Sequence, residues 1–174
     1  MPVLDDPWSL RLATVADAAT VHGWMHRAHV ATRWDQAWSR ERWDDELARQ
    51  LAGGHSRPCL VARDGVDLAY VEIYRVARDG LAEHYDAGAH DLGVHVAIGA
   101  EERTGAGLGS ALLDALAGAL LRADPTCDRV VLEPEEGNTA MHRALAKAGF
   151  VATGRVELPH KVALLHVRER VTAP

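Results

Sequence analysis

Residues 91 to 113, DLGVHVAIGAEERTGAGLGSALL, run from an alternating strand through a glycine-rich loop into an amphipathic helix. That order commits the chain to an α/β arrangement with an anion-binding turn near its centre. Val94, Val96 and Ile98 alternate with His95 and Ala97, the period-two pattern of a pleated surface. Gly105, Gly107 and Gly109 remove each Cβ that would hold a ligand off the backbone. The helix that begins near Leu108 presents its leading N–H groups and positive dipole end, so a phosphate or pyrophosphate fits there.

Spacing separates the competing readings of this loop. A P-loop ends in Gly-Lys-Ser/Thr, whereas Gly109 is followed by Ser110 with no lysine. A dinucleotide fingerprint is G-x-G-x-x-G followed by an acidic residue at the end of the next strand, and the pattern here is G-x-G-x-G. A plain turn joining strand to helix is the bland alternative. Downstream, a strand at Arg129 to Glu133 leads through Pro134 and a polar turn at Asn138 into a helix ending at Gly149-Phe150.

Together these segments resemble the GNAT superfamily of acyl-coenzyme A transferases. The family loop Arg/Gln-x-x-Gly-x-Gly/Ala is matched by Thr104 to Gly109, with threonine in first place and Arg103 one residue early. The second signature, an asparagine followed eleven and twelve residues later by Gly-Phe, is matched by Asn138, Gly149 and Phe150. The resemblance implies a twisted, mixed, mostly antiparallel sheet of about seven strands flanked by about four helices. It further implies acyl-coenzyme A lying along Val96 and Ile98, with its pyrophosphate at Arg103, Thr104, Gly105, Gly107, Gly109 and Ser110, and with Asn138 and Arg143 contributing from the second signature.

A narrower resemblance covers most of the chain. The runs WMHRAHVATRW (24 to 34), AYVEIYR (69 to 75), HYDAGAHDLGVHVAIG (84 to 99), VVLEPEEGN (130 to 138) and ELPHKVALL (157 to 165) are similar to acyltransferases of hydroxamate-siderophore assembly. Those enzymes acylate an N-hydroxylated diamine or N-hydroxylysine. Many GNAT enzymes carry a tyrosine acid seven residues after the asparagine; this chain has Leu145 there.

Composition is compatible with that reading. A chain of 174 residues with 48% hydrophobic and 25% charged residues suits one domain over residues 1 to 174 with a single core. The start, MPVLDDPW, has neither a basic nor an apolar leader segment, and no apolar run reaches membrane length, so a cytoplasmic protein, monomer or homodimer, is expected. A net charge of -6 argues against a nucleic-acid partner and favours a cationic small-molecule acceptor. Cys59 and Cys127 lack metal-ligand spacing and read as buried thiols.

Acyl transfer from a thioester requires removal of a proton from the attacking nitrogen. His95, on the strand before the glycine loop, is the expected general base, with Glu133 as its orienting or charge-pairing partner. Trp34, Glu72, Tyr74, Tyr85, Asp91 and Lys161 fall in the siderophore-like runs and are the candidates for the acceptor pocket. His22, His26 and His29 share helical spacing without a carboxylate or cysteine partner, and no metal is expected. Three functions compete: acylation of an N-hydroxyamine by acetyl- or succinyl-coenzyme A, acetylation of an aminoglycoside or polyamine, and a non-catalytic acyl-coenzyme A-binding module.

Overall fold

The computed structural model describes residues 1–100 and 107–171. Seven strands form one sheet in the order β1-β2-β3-β4-β5-β7-β6: β1 Trp8–Leu12, β2 Ser56–Arg63, β3 Val66–Arg75, β4 Leu92–Ile98, β5 Arg129–Leu132, β6 Val151–Leu158 and β7 Lys161–Glu169. All neighbours are antiparallel except β4 and β5. The helices are α1 Ala18–Met25, α2 Ala28–Trp34, α3 Arg40–Ala52, α4 Leu108–Ala123 and α5 Thr139–Lys147. Among the described residues, no helix is long and apolar enough to cross a membrane.

Local chemistry accounts for most boundaries. The β2–β3 hairpin turns on Asp64 and Gly65, both at positive φ (52° and 76°), as a two-residue turn of this hand requires. Ser39 caps α3 by accepting the Arg42 N–H. Gly149 takes φ of 80° after α5, and the Phe150 N–H returns to the Leu145 carbonyl, closing the helix and seating Phe150 in the core. The first helical stretch ends at Met25; Arg27 adopts ψ of 133° and the chain restarts as α2. His22 and His26 therefore pack ring against ring while His29 belongs to a different helix, which dissolves the three-histidine face.

The two faces of the sheet differ. On one, Val94 and Val96 of β4 pack with Leu112 and Leu116 of α4 and with Leu145 and Phe150. Both cysteines are buried on this side, and burial pushes the Cys59 thiol up to about 12. On the other face, Leu60, Tyr70 and Ala97 pack against Val21, Trp24, Trp43 and Leu47 of α1 and α3. Further along that face, Tyr74, Val131, Ala163 and Leu165 gather around Leu81. Between these two apolar patches lies a polar row.

Candidate active site

The row consists of one side chain from each of four neighbouring segments: Glu72 on β3, His95 on β4, Glu133 just past β5, and Lys161 at the start of β7. Glu72 stands directly across the β3–β4 ladder from His95. The imidazole Nδ1 bonds Glu72 Oε2 at 3.1 Å and Nε2 bonds Glu133 Oε1 at 3.0 Å, and Lys161 Nζ donates to that same Glu133 oxygen at 3.2 Å. The second Glu133 oxygen accepts from the Tyr74 hydroxyl at 3.4 Å. The Tyr74 ring lies 4.9 Å from the imidazole and occupies the space a Cβ at Gly93 would fill, which explains glycine at that position.

Electrostatics fix the protonation of the row. Burial alone would lower the imidazole pKa, yet the charge and hydrogen bond of Glu133, joined by those of Glu72, raise it well above its ordinary value. Burial would raise Glu133, but His95 and Lys161 hold it below the usual carboxylate range, and His95 does the same for Glu72. At neutral pH the row is therefore carboxylate, imidazolium, carboxylate and ammonium, with no net charge. The sequence pointed to one carboxylate beside His95, and the fold supplies two. The ring remains 38% exposed and Lys161 24%, against 12% for Glu72 and 5% for Glu133, so the imidazole is the most accessible part of the row.

Beside the row the sheet opens. The parallel β4–β5 ladder holds only Leu92 with Val130 and Gly93 with Val131. The Val76 N–H donates to the Asp91 carbonyl and the Gly99 N–H to the Leu68 carbonyl, which sets the phase of the β3–β4 ladder. Gly93, His95 and Ala97 direct their backbone groups at β3, and Val94, Val96 and Ile98 direct theirs toward β5. Past Gly93 that edge runs along the opening. There the Val96 carbonyl accepts from Trp34 Nε1 at 3.3 Å and the Ile98 carbonyl accepts from His29 Nε2 at 2.8 Å. Arg33 of the same helix bonds Glu135 on the far side at 2.9 Å, so α2 bridges the opening.

At the end of β4, Gly107 sits at φ of 83° as the residue before α4, and the first ladder bond runs from the Ala111 N–H to the Gly107 carbonyl. The amides of Leu108, Gly109 and Ser110 precede that ladder. Ser110 Oγ donates to the Gly107 carbonyl at 2.8 Å. Arg103, Thr104 and Gly105 lie outside the described residues. A methyl group at Gly109 would meet Ile98 Cδ1 at 3.5 Å and the Ala144 Cβ at 3.8 Å, so β4, α4 and α5 converge at this corner. Asn138 caps α5, accepting the Met141 N–H at 3.2 Å, and Arg143 projects from the exposed face of α5.

The remaining expected acceptor residues divide. Trp34 stands edge-on to His95 at 6.2 Å and Tyr74 touches Glu133, so both line the row. Asp91 does not. It is 2% exposed, and its two oxygens accept from Arg129, the Tyr85 hydroxyl and the Gly88 N–H. Tyr85 and Asp91 thus pin the segment before β4 rather than offering a free carboxylate. Sequence reasoning missed Gln50 and Tyr70, which both bond Glu72, because only tertiary packing brings α3 onto β3.

The comparisons with known proteins agree with this geometry. A family model described as Acetyltransferase (GNAT) domain matches residues 13–158. Lysine N-acyltransferase MbtK of Mycolicibacterium paratuberculosis is 36% identical over 172 residues, spanning 99% of this chain and 78% of the relative. N-hydroxyputrescine acetyltransferase of Acinetobacter baumannii is 30% identical over 150 residues, spanning 86% and 71%. The solved structure of AAC(6')-Ib in complex with parmomycin and acetyl-CoA superposes with a TM-score of 0.85 at 27% identity, covering 95% of this chain and 94% of that one. A matching family model over most of the chain, relatives named as acyltransferases and the split sheet beside a glycine-started helix lead to one conclusion: this chain is an acyltransferase belonging to the GNAT acetyltransferase family.

Proposed function

We propose that the chain, acting as a single transferase domain, moves an acetyl or succinyl group from acyl-coenzyme A to the nitrogen of an N-hydroxylated diamine or N6-hydroxylysine, forming a hydroxamate. The observation that carries this reading is the Glu72–His95–Glu133 row beside the open edge of β4, at a site where α5 contributes no acid. Leu145, at the place where many relatives carry a tyrosine, is fully buried in the core. The relatives named for lysine and N-hydroxyputrescine acylation support the acceptor class.

The donor side fits the residues present. The β4 edge at Val96 and Ile98, beyond the short ladder with β5, faces the opening where an amide-containing arm can lie, and the amides at Leu108, Gly109 and Ser110 suit a pyrophosphate. The thioester supplies the acyl group. On the protein side, Trp34 and Tyr74 wall the acceptor nitrogen against the row. As that nitrogen bonds the carbonyl carbon and the carbon–sulfur bond breaks, its proton passes to the His95–Glu133 pair. His95 Nε2 takes that proton in the fraction of enzyme whose ring is deprotonated, and Glu133 stabilises the imidazolium that forms across the 3.0 Å bond.

Acceptor basicity decides preference. An ordinary primary amine with pKa about 10.4 is neutral in only about one molecule in 2,500 at pH 7, whereas an N-hydroxylamine is largely neutral there. A thiol-release assay crossing acetyl- and succinyl-coenzyme A with N-hydroxycadaverine, N-hydroxylysine and their unhydroxylated parents tests the reading. Hydroxylated acceptors should turn over at least about tenfold faster at pH 7, with the gap narrowing as pH rises. Equal rates for a plain diamine and its N-hydroxy form at neutral pH would refute it, and turnover confined to aminoglycosides or polyamines would favour the resistance-type reading instead.

A further inference from the structure

We infer that Glu72 is the positioning carboxylate of this site: held by Gln50 and Tyr70, it fixes the His95 ring through Nδ1 and leaves Nε2, with Glu133, as the side that meets the acceptor. The inference rests on the acyltransferase reading above for its kinetic consequence, but not for its spectroscopic one.

The two carboxylates that flank the imidazole are not equivalent. Glu72 lies on β3, which pairs with β4 from Ala69 opposite Ile98 to Arg75 opposite Leu92, so no solute can pass between Glu72 and the ring. Glu133 lies on the β5 side, where the ladder ends after Gly93. Nδ1 therefore faces the closed side of the sheet and Nε2 the open side.

Their partners differ in the same sense. Glu72 Oε1 accepts from Gln50 Nε2 at 2.8 Å and from the Tyr70 hydroxyl at 3.0 Å, which leaves Oε2 for His95. Gln50 is itself buried, and its amide nitrogen also bonds Glu46 at 2.7 Å, with Arg49 completing that pair from the surface of α3. A buried amide whose two N–H groups each meet a carboxylate has little rotational choice. Glu133 keeps alternatives: if an acceptor nitrogen takes its place at Nε2, Lys161 and the Tyr74 hydroxyl still hold it. The arrangement is that of a nucleophile-activating histidine with one nitrogen anchored and one working. Glu72 touches neither acceptor nor thioester; it acts through His95.

The test combines Glu72→Gln with Tyr70→Phe and Gln50→Leu. In each protein the His95 ring nitrogens are followed by 15N NMR against pH without substrates, and kcat and acceptor KM are measured separately. Glu72→Gln removes one of the charges that stabilise the imidazolium, so the His95 midpoint should fall. Its kcat should drop by about tenfold to a hundredfold with acceptor KM within about threefold of wild type. Glu72→Asp should recover part of the loss, and the two milder variants should shift the midpoint in the same direction by less. If Glu72→Gln does not fold, the milder variants carry the test through the same midpoint. An unshifted midpoint overturns the inference, and so does an acceptor KM raised tenfold or more at unchanged kcat, which would make Glu72 an acceptor contact. A shifted midpoint in an enzyme that acylates no hydroxylamine would support the positioning role and reject the proposed acceptor.

Discussion

Replacing His95 with alanine removes the one positive charge between two buried carboxylates. With nitrogen–oxygen distances of 3.1 and 3.0 Å on opposite sides of the ring, the facing oxygens of Glu72 and Glu133 are about 8 Å apart. At an effective dielectric near 20, two unit charges at that distance repel by about 2 kcal/mol. Lys161 offsets part of this for Glu133, and the ring is 38% exposed, so water enters the vacated space. A destabilisation of about 1 to 2 kcal/mol at neutral pH is expected, alongside a loss of about 10² to 10⁴ in turnover with donor affinity little changed. The pH dependence is more diagnostic. In the wild type, the raised imidazole pKa contributes stability that is complete below the unfolded value near 6.5 and is lost as pH rises through the folded value. The lowered carboxylate pKa values contribute stability that is present above about 4.3 and is lost as pH falls. In the variant, acid relieves the repulsion by protonating one carboxylate. The gap between the two proteins should therefore peak near pH 6 and shrink in both directions. Urea unfolding followed by tryptophan fluorescence at pH 4.5, 6, 7.5 and 9.5 measures it. A gap that stays constant across that range would show that His95 is not held as a charged partner and would remove the physical basis of the site.

Two further outcomes follow from the geometry. Gly107→Val forces a β-branched side chain to φ of 83° at the start of α4; it should cost at least about 1 to 2 kcal/mol in stability and weaken coenzyme A binding, read by calorimetry, and undiminished affinity would displace the pyrophosphate site from this turn. Asp91→Asn breaks the buried pair with Arg129 and should cost about 2 to 4 kcal/mol while leaving acceptor KM within about twofold; a large KM change with stability intact would restore Asp91 to the acceptor pocket.

Much of the fold was legible because its signals are local. The alternation through Val94, Val96 and Ile98, the helix start near Leu108, the strand from Arg129 and the Gly149 stop each depend on a few adjacent residues, and the structure places those elements within a few residues of expectation. Helix α2 carries no such local signal: neither glycine, proline nor a capping side chain marks its start at Arg27. The pairing of His95 with Glu133 was anticipated from their strands. That of His95 with Glu72 was not, because it depends on the cross-strand register between residues 23 apart, which no periodicity reveals. Asp91 looked available for the same reason: its partner Arg129 is 38 residues away in sequence.

The neutral four-member row also bears on how such a site can change over generations. Each member comes from its own segment, so a single codon alters it without disturbing the others' backbone, which makes the row easy to reach by mutation. Yet losing any one member leaves an unbalanced charge among buried groups, a step that selection on folding alone would oppose. Lineages that retool this site for a new acceptor should therefore differ at two members together, a carboxylate lost with a cation or a cation gained with a carboxylate. The backbone edge of β4 has no side chain to mutate and should persist through all of them.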